Sequence, residues 1–123
     1  MLTLQQIADQ IIADPTLRVV FVAANAWSAR CFTRGVSLCL EGSLELSEKS
    51  DKTLAVSGWD KRTPTLRAIG DGEWLCGSQC DLLIYELRSR FDPEGREHRE
   101  RCYLSERGKV EAFNWDYEMK PPN

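Results

Sequence analysis

The sequence predicts an α+β fold: an N-terminal amphipathic helix packed on a curved, mostly antiparallel β-sheet that ends in a three-stranded meander. Three observations carry this. Leu4, Ile7, Ala8, Ile11 and Ile12 recur at helical spacing behind a Thr3/Gln6 capping box. Residues 17–23 form a short, near-continuous apolar run, the pattern of a strand buried on both faces. Asp81 to Met119 reads as three long antiparallel strands, 81–91, 96–106 and 109–119, joined by turns at Asp92-Pro93-Glu94-Gly95 and Arg107-Gly108.

Each element has a local reason. Thr3 is the N-cap of a helix over 3–13, and Pro15 bars its continuation, because the residue before a proline avoids helical angles. A helix this short gains most of its stability from docking. Residues 24–33 suit either a helical turn ended by Gly35 or a strand, and a short helix is preferred. Val36, Leu38, Leu40, Leu44 and Leu46 alternate and predict a strand over 36–46, with Gly42 marking a bulge. Glu48 to Lys52 is a polar hairpin loop. Strands follow at 53–59 and 65–69, with a turn at Asp71-Gly72.

In the meander, the two turns set Glu86 opposite Arg101, Arg90 opposite Glu97, and Arg99 opposite Asp116 on an outer, salt-paired face. The inner face carries Tyr85, His98, Glu100, Trp115 and Tyr117 among apolar residues. A one-residue slip would turn every side chain over, which is why a two-residue loop is chosen at Arg107-Gly108.

Length and composition bound the function. The chain has 123 residues, a hydrophobic content of 42%, a charged content of 28% and a net charge of -3. These values suit one soluble globular domain over 1–123. Acidic and basic residues balance between Glu86 and Glu111, so no single-sign patch suggests a nucleic-acid groove. No apolar run has the length of a membrane span, and the N-terminus lacks the pattern of a secretory signal. Five cysteines without an export signal read as reduced thiols in a cytoplasmic protein.

Candidate chemistry is sparse. Cys76-x3-Cys80 followed by His98-x3-Cys102 loosely resembles a zinc ligand set. On a strand, however, about 3.3 Å per residue puts His98 and Cys102 roughly 13 Å apart, so no metal and no other cofactor is expected. Tyr85, His98, Glu100, Trp115 and Tyr117 on one face offer an alternative pocket for a polar ligand or for acid-base chemistry. No nucleophile elbow, phosphate-binding glycine loop or zinc-protease motif is present in the sequence.

The favoured expectation is a small acidic protein-binding domain without catalytic activity, such as an inhibitor, an immunity-type protein or an assembly factor. Its partner is another protein, with neither nucleic acid nor membrane involved. Trp59, Lys61 and Arg62 lie together at a strand end, and Arg88 faces no acid in the predicted register. These four are the expected partner-binding residues, being of the aromatic and arginine types that dominate interface energetics. The alternative is a small-molecule-binding or weakly enzymatic pocket between helix and sheet. The sequence sets no oligomeric state.

Overall fold

The computed structural model describes residues 1–57, 64–70, 79–87 and 93–119. Its elements run α1 (Leu4–Ala13), β1 (Val19–Ala23), α2 (Ala26–Leu40), β2 (Leu46–Lys49), β3 (Thr53–Val56), β4 (Leu66–Gly70), β5 (Cys80–Glu86), α3 (Pro93–Tyr103), β6 (Leu104–Phe113) and α4 (Trp115–Glu118). The fold is α+β, as the sequence predicts, with six strands in one sheet in the order β2-β3-β4-β1-β5-β6.

The sheet is mixed rather than mostly antiparallel. β1 pairs in parallel with both β4 and β5, and β5 pairs in parallel with β6. Only β2-β3 and β3-β4 are antiparallel. β1 lies between β4 and β5 and is buried along its whole length, which matches its near-continuous apolar sequence.

The capping box forms as its sequence predicts. Gln6 N–H donates to Thr3 Oγ1 (3.1 Å), and Thr3 N–H donates to Gln6 Oε1 (2.9 Å). Ile7, Ala8 and Ile11 bury the apolar face of α1. Asn25 caps α2 through Ser28 N–H (2.8 Å). α2 runs on through Gly35, which allows the Leu4 side chain of α1 to approach. A Cβ at Gly35 would stand 2.6 Å from Leu4 Cδ1. The strand expected over 36–46 is therefore corrected. Val36 and Leu40 are buried one helical turn apart while Leu38 points outward, so the alternation belongs to a helix. Gly42, at φ +81°, follows the Glu41 C-cap and turns the chain out of α2.

The three-stranded meander is also corrected. Its first strand stands as the parallel strand β5, and the first half of its third lies in β6, also parallel. The second is α3, and the third is β6 followed by α4. Pro93, read as a turn residue, is the first residue of a helix, a position where its missing N–H costs nothing. Arg and Glu are good helix formers, and the alternating charges that suggested cross-strand pairs also satisfy i,i+4 spacing, as in Arg96–Glu100 (2.9 Å). The cross-strand pairings Glu86–Arg101, Arg90–Glu97 and Arg99–Asp116 lapse with the meander.

Two clusters flank the sheet. On one face α1 and α2 cover Phe21, Ala23, Leu82, Ile84 and Phe113. Phe21 stacks on Phe32 at 3.7 Å between centroids, and the Phe113 edge meets both rings. On the other face Val20, Val22, Ile69, Leu83 and Tyr85 pack with Cys80 and with Tyr103 of α3.

Candidate functional site

The strand order reverses at β1. The chain leaves it to build β4 on one side, then returns to build β5 and β6 on the other. In sheets with parallel strands, ligands favour the crevice outside the carboxyl ends at such a point. Here those ends are Ala23 of β1 and Glu86 of β5, under the N-terminus of α2.

Glu86 is buried at 3% exposure. Its Oε2 accepts from Ala24 N–H (2.7 Å) and from Ser28 Oγ (2.7 Å). Ser28 Oγ in turn accepts from Trp115 Nε1 (2.8 Å). A carboxylate beneath a helix N-terminus is favoured by the helix dipole as well as by these donors. The chain Trp115–Ser28–Glu86–Ala24 thus ties α4, α2, β5 and the end of β1 together at the carboxyl ends of the central strands.

Beside Glu86 opens a cleft of about 400 Å³, lined by Met1, Tyr85, Glu86, Leu87, Arg96, Val110, Glu111 and Ala112. The Arg96 guanidinium stacks 4.5 Å from the Tyr85 ring centroid and pairs with Glu100. Arg99, buried, lies 5.9 Å from the same ring. Burial pushes the Tyr85 phenol up, and Glu100 adds to this, while Arg99 and Arg96 oppose it. Tyr85 therefore stays protonated at neutral pH. The cleft offers a cation stacked on an aromatic ring, two carboxylates and apolar walls, a set suited to holding a small polar ligand.

The amino end of β5 carries a second polar centre. Buried Asp81 accepts from Ser105 Oγ (2.6 Å), Arg107 (3.2 Å) and Arg18 N–H (3.1 Å). Arg107 also reaches Asp14 (3.3 Å). The network holds an irregular stretch of β6, which advances from Leu104 to Lys109 while β5 advances only from Cys80 to Leu82. Burial raises the Asp81 carboxyl, but the hydrogen bonds from Arg107, Ser105 and Arg18 outweigh it and hold the group below its ordinary value.

The residues expected to share one pocket are dispersed. Tyr85 and Glu100 meet through Arg96. His98 is exposed on α3, one turn from Cys102, with Sγ 3.6 Å from Nε2. The expected 13 Å separation of this pair is corrected, because a helix brings residues four apart onto one face. Trp115 lies with the α1/α2 cluster, its ring 4.9 Å from Phe113, and Tyr117 is half-exposed on α4. Trp59, Lys61, Arg62 and Arg88 lie outside the described residues, as does Cys76. Cys80 is fully buried, and burial pushes its thiol up to about 12, so it is a core residue rather than a thiolate ligand.

Sequence reasoning missed Glu86, Ser28, Asp81 and Arg107. The available signal was the run Leu82-Leu83-Ile84-Tyr85 between two acids, a continuous apolar segment that suits a parallel strand buried on both faces with a carboxylate at each end. Among the described residues, no helix is long and apolar enough to cross a membrane. No protein-family model matches the chain, and neither does any curated protein.

Proposed function

We propose that the protein is a small, acidic, cytoplasmic protein-binding domain without catalytic activity, acting as an inhibitor, immunity-type protein or assembly factor. The observation that supports this reading is the outer stripe of α2. Trp27 is 69% exposed and Leu38, three turns on, is 62% exposed. Between them stand Arg30, which lies over the Trp27 ring, and Arg34. Among the described residues, both arginines pair with the same acid, Asp51, at 3.4 Å and 3.9 Å. A large exposed tryptophan beside arginines is the composition of an interface hot spot, and two cations on one carboxylate favour a partner surface carrying acidic groups. Trp59, Lys61, Arg62 and Arg88 belong to the same proposal as further contact residues.

The test is recovery of partner protein from native lysate by wild type and by Trp27→Ala, Leu38→Ala, Trp59→Ala and Arg62→Ala, with circular dichroism to verify folding. The purified complex is then titrated. Trp27→Ala is expected to weaken it by about 2 kcal/mol or more, the hot-spot range, or roughly thirtyfold in Kd. Full affinity in all four variants overturns the reading.

The cleft at Tyr85 and Arg96 supports a second reading, a binding site for a small polar molecule. Native mass spectrometry of protein from its own source decides between the two. A bound small molecule that is lost in Arg96→Ala favours the cleft, and a bound protein favours the α2 stripe.

A further inference from the structure

α2 is a basic helix in an acidic chain. The net charge of the protein is -3, yet the 15 residues of α2 include Arg30 and Arg34 and no acid. The two arginines stand one helical turn apart, between the exposed side chains of Trp27 and Leu38. Their guanidiniums converge on one carboxylate from the turn between β2 and β3. Arg30 Nε lies 3.4 Å from Asp51 Oδ2, and Arg34 Nη2 lies 3.9 Å from Oδ1. The pair is thus a clamp that already receives a carboxylate, one oxygen to each cation.

Asp51 fits this clamp poorly. A charge-assisted N–H···O bond is about 2.7–2.9 Å long. Both Asp51 contacts are longer, and Arg30 Nε, shielded from water, makes no hydrogen bond to any described residue. The cause lies in the turn. Ser50 N–H donates to Thr53 O (2.9 Å), and Ser50 Oγ accepts from Thr53 N–H (3.0 Å). These bonds fix the position of Asp51 whatever the arginines require. An exposed pair of this geometry contributes little, so a better-placed acid displaces it readily.

We propose that Asp51 is an internal stand-in for an acid of the partner. The partner is an acidic amphipathic helix that sets a carboxylate between Arg30 and Arg34 and apolar side chains on Trp27 and Leu38, and Asp51 leaves the clamp as it docks. This rests on the α2 stripe being the interface. The helical form of the partner follows from spacing. Trp27, Cys31, Arg34 and Leu38 recur at steps of four, three and four positions, the seam of one helix lying along another. The acidic chemistry follows from the clamp.

The test is fluorescence anisotropy of labelled synthetic amphipathic helices titrated with the full chain. The peptides are identical except that the residues flanking their apolar seam are glutamate, glutamine or lysine. The glutamate peptide is expected to bind, more weakly as salt rises. The glutamine and lysine peptides are expected to bind about tenfold more weakly or worse. Asp51→Asn, which removes the competitor and keeps the turn, is expected to tighten the glutamate peptide by about two- to fivefold, the range of an exposed ion pair. Arg34→Gln is expected to weaken it by about tenfold. Glu106→Gln makes the same charge change on β6, the edge strand opposite β2, and is expected to leave it unchanged. Circular dichroism verifies that each variant is folded. The proposal is overturned by equal binding of the glutamate and glutamine peptides, by unchanged or weaker binding in Asp51→Asn, or by no binding of any peptide. It is also overturned by self-association that Arg34→Gln abolishes, which assigns the stripe to a second copy. Equal binding of both peptides that Trp27→Ala removes would leave the α2 interface standing and strike only the role of Asp51.

Discussion

Two buried carboxylates do opposite jobs at the two ends of β5. Glu86 gathers donors from Ala24 and Ser28, and Ser28 passes the interaction to Trp115. Removing its charge leaves the geometry but weakens the acceptor. Glu86→Gln is expected to cost about 1–3 kcal/mol in urea unfolding, the range for hydrogen bonds to charged groups. Ser28→Ala strands the Trp115 indole N–H and is expected to cost about 1–2 kcal/mol. Asp81 governs acid behaviour. Its folded pKa lies below its unfolded value, so its contribution is complete above the unfolded value of about 3.9 and disappears as pH falls through the folded one. Wild type is therefore expected to lose stability below about pH 4.5, and Asp81→Asn, already weaker at neutral pH, to lose less over the same interval. Equal acid slopes would show that Asp81 is not the group responsible. Asp14, which shares Arg107, is also lowered, first through its Thr16 hydrogen bonds, but it is exposed and is expected to contribute far less.

At the scale of elements, what was legible depended on whether the signal was local. α1 could be read because its cap, its apolar period and its stop at Pro15 all lie within the segment. Ile11→Ala is expected to cost about 2–5 kcal/mol as a buried truncation. Thr3→Ala is expected to cost about 1 kcal/mol through the lost cap. The second half of α2 was misread because Val36, Leu38 and Leu40 satisfy a period of two. Only burial distinguishes the exposed Leu38 from its buried neighbours. α3 was misread for a related reason. Arg96, Glu97, Arg99, Glu100 and Arg101 can pair across strands or along a helix, and charge pattern alone does not choose. The choice comes from tertiary context: β5 and β6 are parallel, and parallel neighbours need a crossover between them. Of the proposed pocket, only the Tyr85–Glu100 association was legible, and that through a register that does not exist. The junction after α2 is a cleaner case. Gly42 sits at φ +81°, where an L side chain is strained, so Gly42→Ala is expected to destabilise by about 1 kcal/mol without altering the fold.

The whole molecule is organised from the centre of its sheet outward. β1 is covered on both faces and hydrogen-bonded on both edges, to β4 and β5. β2 is at the sheet edge, and its side chains are half-buried or exposed in alternation. α3 meets the sheet mainly through Arg99 and Tyr103, two turns of a helix whose other described side chains are largely in water. Local opening free energy follows apolar burial and shielding of backbone hydrogen bonds, so these elements differ in stability although they share one fold. Native-state hydrogen exchange is expected to be slowest at Phe21, Val22, Leu83 and Ile84, at the global unfolding limit. Exchange in α3 and β2 is expected to be faster by orders of magnitude and insensitive to low denaturant. The contrast bears on function, because the stripe on α2 stands on the rigid layer over β1. Exchange in α3 as slow as in β1 would show that α3 belongs to the central cooperative unit and would remove the basis for this ordering.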